Sequence, residues 1–175
     1  MVKIVECVPN FSEGRNQSII DSIADSASGI SGARVLGVEP DPDYNRTVLT
    51  IAGEPDAVAQ AAFNVIKTSF ELIDMKMHEG EHPRIGAVDV CPFVPIQNSS
   101  MEECVELAKT LGKRVFEELE LPVFFYGSAA SNKERELLSD LRKGEYESLK
   151  ERYQNGGPLL PDIGPVDFNE NIEKF

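Results

Sequence analysis

"RTVLTIAGEPDAVAQAAFNVIKTSFELI", residues 46–73, is the stretch that decides the fold class. The residues over 46–53 are rich in β-branched and apolar side chains, which predicts a strand. The apolar side chains that follow recur at the spacing of one helix face, and they are Val58, Ala61, Ala62, Val65, Ile66 and Phe70. This spacing, opened by acidic residues and Pro55, predicts a helix over 54–73.

The residues before this stretch predict a strand, a helix and another strand. The segment 2–8 is short and β-rich, and Asn16 caps a run whose apolar residues keep the helical spacing until two glycines end it. A strand over 33–39 follows. The turn-rich "PDPDYN" joins it to 46–53, so these two strands are predicted to pair in antiparallel fashion.

The residues after it predict a strand over 87–95, a helix over 99–120 and a strand over 121–127. The helix begins with two serines and has two glutamates in its first turn, as N-terminal capping favours. The charged stretch from residue 132 onward predicts further helix. The last ~20 residues show little periodicity, so they are predicted to be a docked or loosely ordered tail.

The element order is β-α-β-β-α-β followed by α-β. This order is typical of an α+β fold, a ferredoxin-like split βαβ sandwich with a mixed or antiparallel sheet and helices on one face. A chain of 175 residues is long enough for one well-buried domain, so we expect 1–175 to form a single unit.

Composition and charge exclude several classes of function. The net charge is −13, which argues against nucleic acid or an anionic membrane surface as partner. An anionic small molecule would therefore need a local basic cluster. Cys7, Cys91 and Cys104 are odd in number and lie in apolar surroundings, which indicates reduced core thiols. Without an apparent signal peptide or membrane span, we expect a cytoplasmic protein.

The segment "HEGEHPRIGA", residues 78–87, contains both histidines of the chain. His78 to His82 spells H-E-x-x-H, the pattern of zinc proteases, in which both histidines share one helix face. Gly80 inside the motif and Pro83 directly after it both disfavour that helix. We therefore expect no metal site here, although a zinc hydrolase stays an alternative that metal analysis would test.

Two interpretations of His82 and Arg84 remain open from the residues alone. Both could be surface loop residues without a function. Their position in a loop that leads into an apolar strand instead favours binding or catalysis. Imidazole titrates near neutral pH, and guanidinium offers a fork of donors to carboxylates.

Several segments together resemble the N-terminal subdomain of the glutamate formiminotransferases. They are VECVPNFSEGRN (5–16), NRTVLTIAG (45–53), GEHPRIGAVDVCPFVP (80–95), PVFFYG (122–127), RKGEYE (142–147) and PDIGPVDF (161–168). The resemblance covers nearly the whole chain in register. It implies folate-dependent transfer of a formimino group from N-formimino-L-glutamate to N5 of tetrahydrofolate, which is a co-substrate, in histidine breakdown.

The resemblance also assigns roles to residues. It places the general base at His82, which would take the proton from N5, and it places an acidic residue at Glu39. Glu39 would stabilise positive charge on the formimino carbon, and Asp41 or Asp43 could replace it. The candidates for holding the anionic substrates are Arg84, Arg15, Arg46, Asp162, Gly164 and Pro165. The "FSEGR" loop is either an anion site or a plain turn.

The family's transferase unit has two related subdomains, and the resemblance covers only the first. The chain is therefore expected to be a fragment, one half of a split enzyme or a stand-alone relative. We expect it to pair with a C-terminal subdomain or to form a homodimer. Two alternative functions stay open, namely binding of reduced folate without chemistry, and formyl transfer between 5-formyltetrahydrofolate and glutamate.

Overall fold

The computed structural model describes residues 2–175. Its strands are β1 (Ile4–Cys7), β2 (Asn10–Phe11), β3 (Ala33–Asp41), β4 (Arg46–Gly53), β5 (Val88–Val90) and β6 (Phe93–Gln97). Its α-helices are α1 (Gln17–Ser26), α2 (Pro55–Leu72), α3 (Met101–Leu119), α4 (Leu138–Leu141), α5 (Leu149–Asn155) and α6 (Glu170–Lys174). Short 3-10 turns lie at 75–77, 127–129, 133–135 and 146–148.

All six strands form one antiparallel sheet. β4 pairs with β3 along one side and with both β1 and β2 along the other, and β1 and β2 pair in turn with β6 and β5. Pro9 and Pro92 lie at the two breaks within this pattern, where a proline cannot donate to the ladder. The predicted α+β fold with an antiparallel sheet is confirmed. The ferredoxin-like assignment stays a prediction.

Three long helices cover the sheet. α2 contacts β1, β3 and β4, α3 contacts β6, and α1 contacts α2 and β3. Leu49 and Ile51 of β4 are fully buried, whereas the alternating Val48 and Thr50 are only half-buried. The helices therefore pack on one face of β4, and each large apolar side chain buried there contributes about 1.5–3 kcal/mol.

The predicted helix starts are confirmed by their capping geometry. The Asn16 side chain accepts hydrogen bonds from the backbone N–H groups of Ser18 and Ile19 at the start of α1. Ser100 and Glu103 form a reciprocal capping box at the start of α3. Both ends satisfy donors that a helix leaves unpaired, so the sequence signals correspond to real contacts.

The strand predicted over 121–127 is wrong. This segment contributes one isolated bridge, between Val123 and Ile163, and Pro122 offers no N–H. Val123 and Phe125 instead pack against α3, where a Cβ at Gly112 would lie 3.0 Å and 3.1 Å from their side chains. The β-branched and aromatic residues that produced the strand signal serve helix packing.

The helical character predicted from residue 132 is confirmed, but in short pieces, because the segment breaks between α4 and α5. Gly144 (φ 77°) and Glu145 (φ 54°) both adopt left-handed backbone angles there, which no helix continues through. The Tyr146 N–H donates to the Arg84 carbonyl at 2.8 Å. The chain turns at this point because it is tied to the histidine segment.

The C-terminal tail is docked, which is one of the two predicted outcomes. Its short helix α6 buries Ile172, and Lys174 Nζ donates to the Phe70 carbonyl at 2.6 Å. Phe175 packs edge-on against the Phe70 ring, with 6.0 Å between centroids. The tail therefore closes over the end of α2.

The three cysteines are free thiols. Cys7 and Cys104 are buried, as predicted, whereas Cys91 is half-buried. Cys7 Sγ lies 3.5 Å from Cys91 Sγ, and burial raises the pKa of the Cys7 thiol well above its usual value. Among residues 2–175, none of the helices has the length and apolar character to cross a bilayer.

Candidate functional site

Asn45, at the tip of the β3–β4 hairpin, joins three loops. It is buried, with φ 48°, and its Oδ1 accepts a hydrogen bond from the Gly14 N–H at 2.9 Å. Its Nδ2 donates to the Glu79 carbonyl at 2.9 Å, and its own carbonyl lies 2.9 Å from His78 Nε2. The "FSEGR" loop, the hairpin tip and the histidine segment are therefore one connected structure.

Two glycines allow this close approach. A Cβ at Gly14 would lie 2.3 Å from the Asp41 carbonyl oxygen, and a Cβ at Gly80 would lie 2.5 Å from the Tyr44 carbonyl oxygen. Neither distance leaves room for a side chain. The glycines of "FSEGR" and "HEGEH" thus serve backbone packing against the hairpin.

The His78 side chain is held by hydrogen bonds within the protein. Its Nε2 donates to the Asn45 carbonyl, and its Nδ1 accepts a hydrogen bond from Arg84 Nε at 3.3 Å. Burial lowers the pKa of His78, and the nearby Arg84 charge adds to this effect. Residues 78–82 form no helix, and residues 2–175 hold no group of three or more ligands able to bind a metal. His78 stabilises the contact between two loops.

Arg84 lies buried beneath the 142–147 loop. Its NH1 donates to Glu145 at 2.9 Å and to Glu147 at 3.0 Å, and its NH2 donates to Glu147 at 2.8 Å. The hydrogen bond from Arg84 lowers the pKa of Glu147. Arg84 and the two glutamates line a cleft of ≈450 Å³. The fork of donors predicted to bind substrate is thus occupied by the chain itself.

His82 is buried beside Asp89. Its Nε2 lies 3.5 Å from Asp89 Oδ2, is closed off from solvent and makes no hydrogen bond. The Tyr44 ring contacts the imidazole edge-on, with 6.3 Å between centroids. Asp89 accepts a hydrogen bond from the Ile85 N–H at 3.0 Å, and both its oxygens face the guanidinium of Arg142. A buried carboxylate thus flanks the predicted base.

Asp89 also borders the apolar cavity under α3. This cavity has a volume of ≈160 Å³ and is lined by Asp89, Cys91, Leu111, Phe125, Tyr126 and Phe175, among others. His82 does not line it. Burial raises the pKa of the Tyr126 hydroxyl, so this residue stays neutral at physiological pH.

Arg46 and Arg15 differ in how much of each guanidinium is free. Arg15 is exposed, and its Nε donates to the Pro42 carbonyl at 2.8 Å. Arg46 Nε is closed off from solvent without a partner, and its guanidinium lies 6.0 Å from the centre of the Tyr44 ring. Tyr44 therefore contacts both Arg46 and the candidate base His82. Glu39 is exposed on β3, opposite Val48.

Asp162, Gly164 and Pro165 lie in a different part of the chain. The Asp162 carboxylate accepts a hydrogen bond from the Phe125 N–H at 2.7 Å and pairs with Arg135. A Cβ at Gly164 would lie 2.9 Å from the Cα of Pro122. These contacts hold the loop against the 122–125 segment, and none of them involves His82.

Sequence reasoning missed the residues that support the site. Asn45, Asp89 and Arg142 all fall inside the segments that carried the family resemblance, but no local pattern distinguished them. The sequence did contain one signal for Asp89, because this acidic residue lies among apolar neighbours in a predicted strand. A carboxylate buried there is rare unless it is paired, so the pattern predicts a partner for Asp89.

Comparison with known proteins decides the family. The sequence profile described as formiminotransferase domain, N-terminal subdomain, matches residues 4–172. The chain belongs to this family. It is 46% identical over 152 residues to a glutamate formimidoyltransferase from Streptococcus pyogenes serotype M1, covering 87% of the chain. It is also 46% identical over 166 residues to one from Thermoplasma acidophilum, covering 94% of the chain.

The formiminotransferase domain also occurs in longer relatives. A formimidoyltransferase-cyclodeaminase from Dictyostelium discoideum is 49% identical over 168 residues, which is 96% of this chain and 31% of that protein. The match covers 51% and 54% of the two glutamate formimidoyltransferases. The chain therefore spans about a third to a half of the length of the curated relatives it matches.

Proposed function

We propose that this subdomain, together with a C-terminal partner subdomain, transfers a formimino group from N-formimino-L-glutamate to N5 of tetrahydrofolate. The observation that carries the proposal is the 46% identity to glutamate formimidoyltransferases over 87% to 94% of the chain. The convergence of the FSEGR loop, the hairpin tip and the histidine segment on Asn45 supports it. In this proposal, the loop that contains Asp162, Gly164 and Pro165 contacts the folate.

The proposed reaction requires one proton to move between two nitrogens. N5 of the folate attacks the formimino carbon and loses its proton, and the bond from that carbon to the glutamate nitrogen breaks. His82 accepts the proton from N5 and returns it to the departing amine. An imidazole suits both transfers near neutral pH, and such assistance is worth about 10²–10⁴-fold.

Arg46 is the best-placed candidate for a substrate carboxylate. The donors of Arg84 are taken by Glu145 and Glu147, and Arg15 gives its Nε to a backbone carbonyl. The Arg46 guanidinium makes neither a hydrogen bond nor an ion pair with the described chain and lies beside Tyr44. A guanidinium with a free fork favours carboxylate binding. The exposed Glu39 supplies negative charge for the formamidinium carbon.

An assay of the complete protein with its second subdomain tests this proposal. Purified enzyme is incubated with reduced folate and either N-formimino-L-glutamate or 5-formyltetrahydrofolate plus glutamate, and products are separated by chromatography. We expect 5-formiminotetrahydrofolate from the first mixture. Folate binding without product in either mixture would contradict the proposal and favour a binding protein, and product from the second alone would identify a formyl transferase.

A further inference from the structure

The buried side chains around His82 form a chain of three charged or titratable groups. His82 faces Asp89, whose side chain is 1% exposed, and Asp89 faces Arg142, whose side chain is 18% exposed. They come from the histidine loop, from β5 and from the C-terminal end of α4. A buried carboxylate needs partners, and here its neighbours are one cation, Arg142, and one potential cation, His82.

The Asp89 carboxylate is held in place by groups other than His82. Its Oδ1 accepts the Ile85 N–H at 3.0 Å and lies 3.4 Å from Arg142 Nε, and its Oδ2 accepts from Arg142 NH2. Oδ2 is also the oxygen that lies 3.5 Å from His82 Nε2. The carboxylate therefore presents a held acceptor to the imidazole.

The two ring nitrogens of His82 have different surroundings. Nε2 is closed off from solvent and has Asp89 Oδ2 as its nearby acceptor. Nδ1 makes no hydrogen bond to any residue of 2–175 described by the structure. A nitrogen that faces a carboxylate carries the hydrogen in neutral imidazole, and this leaves the lone pair on the other nitrogen.

We propose that Asp89, held by Arg142 and the Ile85 N–H, is the positioning residue that keeps His82 in its Nε2–H form with Nδ1 as the base. This inference rests on the proposed function, because it assigns the atom that accepts the N5 proton. The 3.5 Å distance shortens to a hydrogen bond when substrate is bound, as catalytic contacts often do. Arg142 neutralises the carboxylate, so Asp89 sets the orientation of the ring without an unpaired buried charge.

The Asp89→Asn variant reverses this preference. The Ile85 N–H and Arg142 Nε both point at the Oδ1 position, so the amide oxygen takes that position. The amide NH2 then takes the Oδ2 position, where it faces His82 and displaces Arg142 NH2. An NH2 group donates to Nε2, so the ring hydrogen moves to Nδ1 and the base is lost. Asp25→Asn, at an exposed position on α1, is the matched control.

Nitrogen NMR of the 175-residue chain measures the tautomer directly. With only two histidines, ¹⁵N-histidine labelling gives two imidazoles, and a His78→Gln variant assigns the His82 signals. At about pH 8, where an ordinary imidazole is neutral, wild type and Asp25→Asn should show hydrogen on Nε2 of His82. Asp89→Asn should show it on Nδ1. Hydrogen on Nδ1 in wild type, or on Nε2 in Asp89→Asn, overturns the proposal.

Transfer assays of the complete protein give the second measurement. Asp89→Asn should lower kcat by about 10²–10⁴-fold at unchanged KM, and it should have no further effect in a His82→Ala background. An equal loss in both backgrounds would show a merely structural role and overturn the proposal. Asp25→Asn should transfer at the wild-type rate.

These measurements separate the two proposals. If the wild-type complete protein transfers neither a formimino nor a formyl group, the proposed function fails. The NMR measurement on wild type still shows which nitrogen of His82 carries the hydrogen. If Asp89→Asn does not fold, the wild-type tautomer alone decides. Hydrogen on Nε2 supports the inference, and hydrogen on Nδ1 overturns it.

Discussion

Arg84 directs its guanidinium to two glutamates of the same chain, Glu145 and Glu147. It therefore fastens the 142–147 loop to the histidine segment. Arg84→Ala should lower the free energy of unfolding by about 1.5–3 kcal/mol, because hydrogen bonds to charged groups are lost from a buried position. Urea denaturation measures this as a lower midpoint at an unchanged slope.

Two variants control the Arg84 experiment. Arg84→Lys keeps the charge but loses the fork, so it should recover only part of the lost stability. Arg34→Ala removes an exposed arginine and should change the free energy of unfolding by no more than about 0.5 kcal/mol. Equal midpoints for wild type and Arg84→Ala would mean that the contacts with Glu145 and Glu147 do not stabilise the fold.

His78 should make stability depend on pH. Burial lowers its pKa in the folded state, so the unfolded chain binds more protons as pH falls below about 6.5. The contribution of His78 is complete above that pH and is lost as pH falls through the folded-state pKa. The stability difference between wild type and His78→Gln should therefore shrink from about pH 7.5 to 5. Denaturation at several pH values measures it, and a constant difference would contradict this account.

Arg46 should act on substrate binding and not on the chemical step. Arg46→Gln removes a guanidinium that has no ion-pair partner in the described chain. In the complete protein we expect KM for the substrate held there to rise about 10–100-fold with kcat nearly unchanged, from loss of a charged hydrogen bond. Steady-state kinetics with each substrate varied in turn identifies which one binds. An unchanged KM for both substrates would exclude Arg46 from binding.

At the scale of elements, the β3–β4 hairpin is the part that organises the site. Gly80→Ala would place a Cβ 2.5 Å from the Tyr44 carbonyl and 2.8 Å from the Asn45 side chain. The loops must separate, and overpacking of this kind costs about 1–3 kcal/mol. Gly37→Ala on β3 meets nothing nearer than 3.9 Å and is the control. Thermal unfolding should show a lower Tm for Gly80→Ala alone, and equal values would contradict the close approach.

The elements that sequence predicted well are those with a strong periodic signal and their own end signals. Helices α2 and α3 agree with prediction to within about two residues because an apolar stripe marks each of them. Pro55 also marks the start of α2, and the Ser100–Glu103 capping box marks the start of α3. The segment 121–127 has strand-like composition but packs on α3, which is a tertiary effect. The break at Gly144 depends on contacts with Arg84, about 60 residues away, and no local pattern contains that information.

At the scale of the molecule, the candidate site is assembled from contacts between distant parts of the chain. The family resemblance pointed to His82, but burial of Arg84 and the free state of Arg46 follow only from the folded arrangement. Arg142 and Asp89 meet across 53 positions of sequence. Spacing along the chain does not indicate such pairs, so the sequence proposes His82 as the base but not the groups that surround it.

The net charge of −13 gives the whole molecule a field that repels anions. Long-range repulsion would oppose the two anionic substrates of the proposed reaction, and local guanidinium groups would have to overcome it. Several positive side chains are engaged in internal pairs, namely Arg84, Arg135 and Arg142. At the tip of the β3–β4 hairpin, Arg46 and Arg15 pair with no carboxylate of residues 2–175, so the binding proposal concentrates on these two.

The transfer rate of His82→Ala, measured in the complete protein by single-turnover kinetics with saturating folate, tests the central claim most directly. The account predicts a rate about 10²–10⁴-fold below wild type, with folate affinity close to that of wild type. A rate within a few-fold of wild type would show that some other group moves the proton, and the account would be wrong.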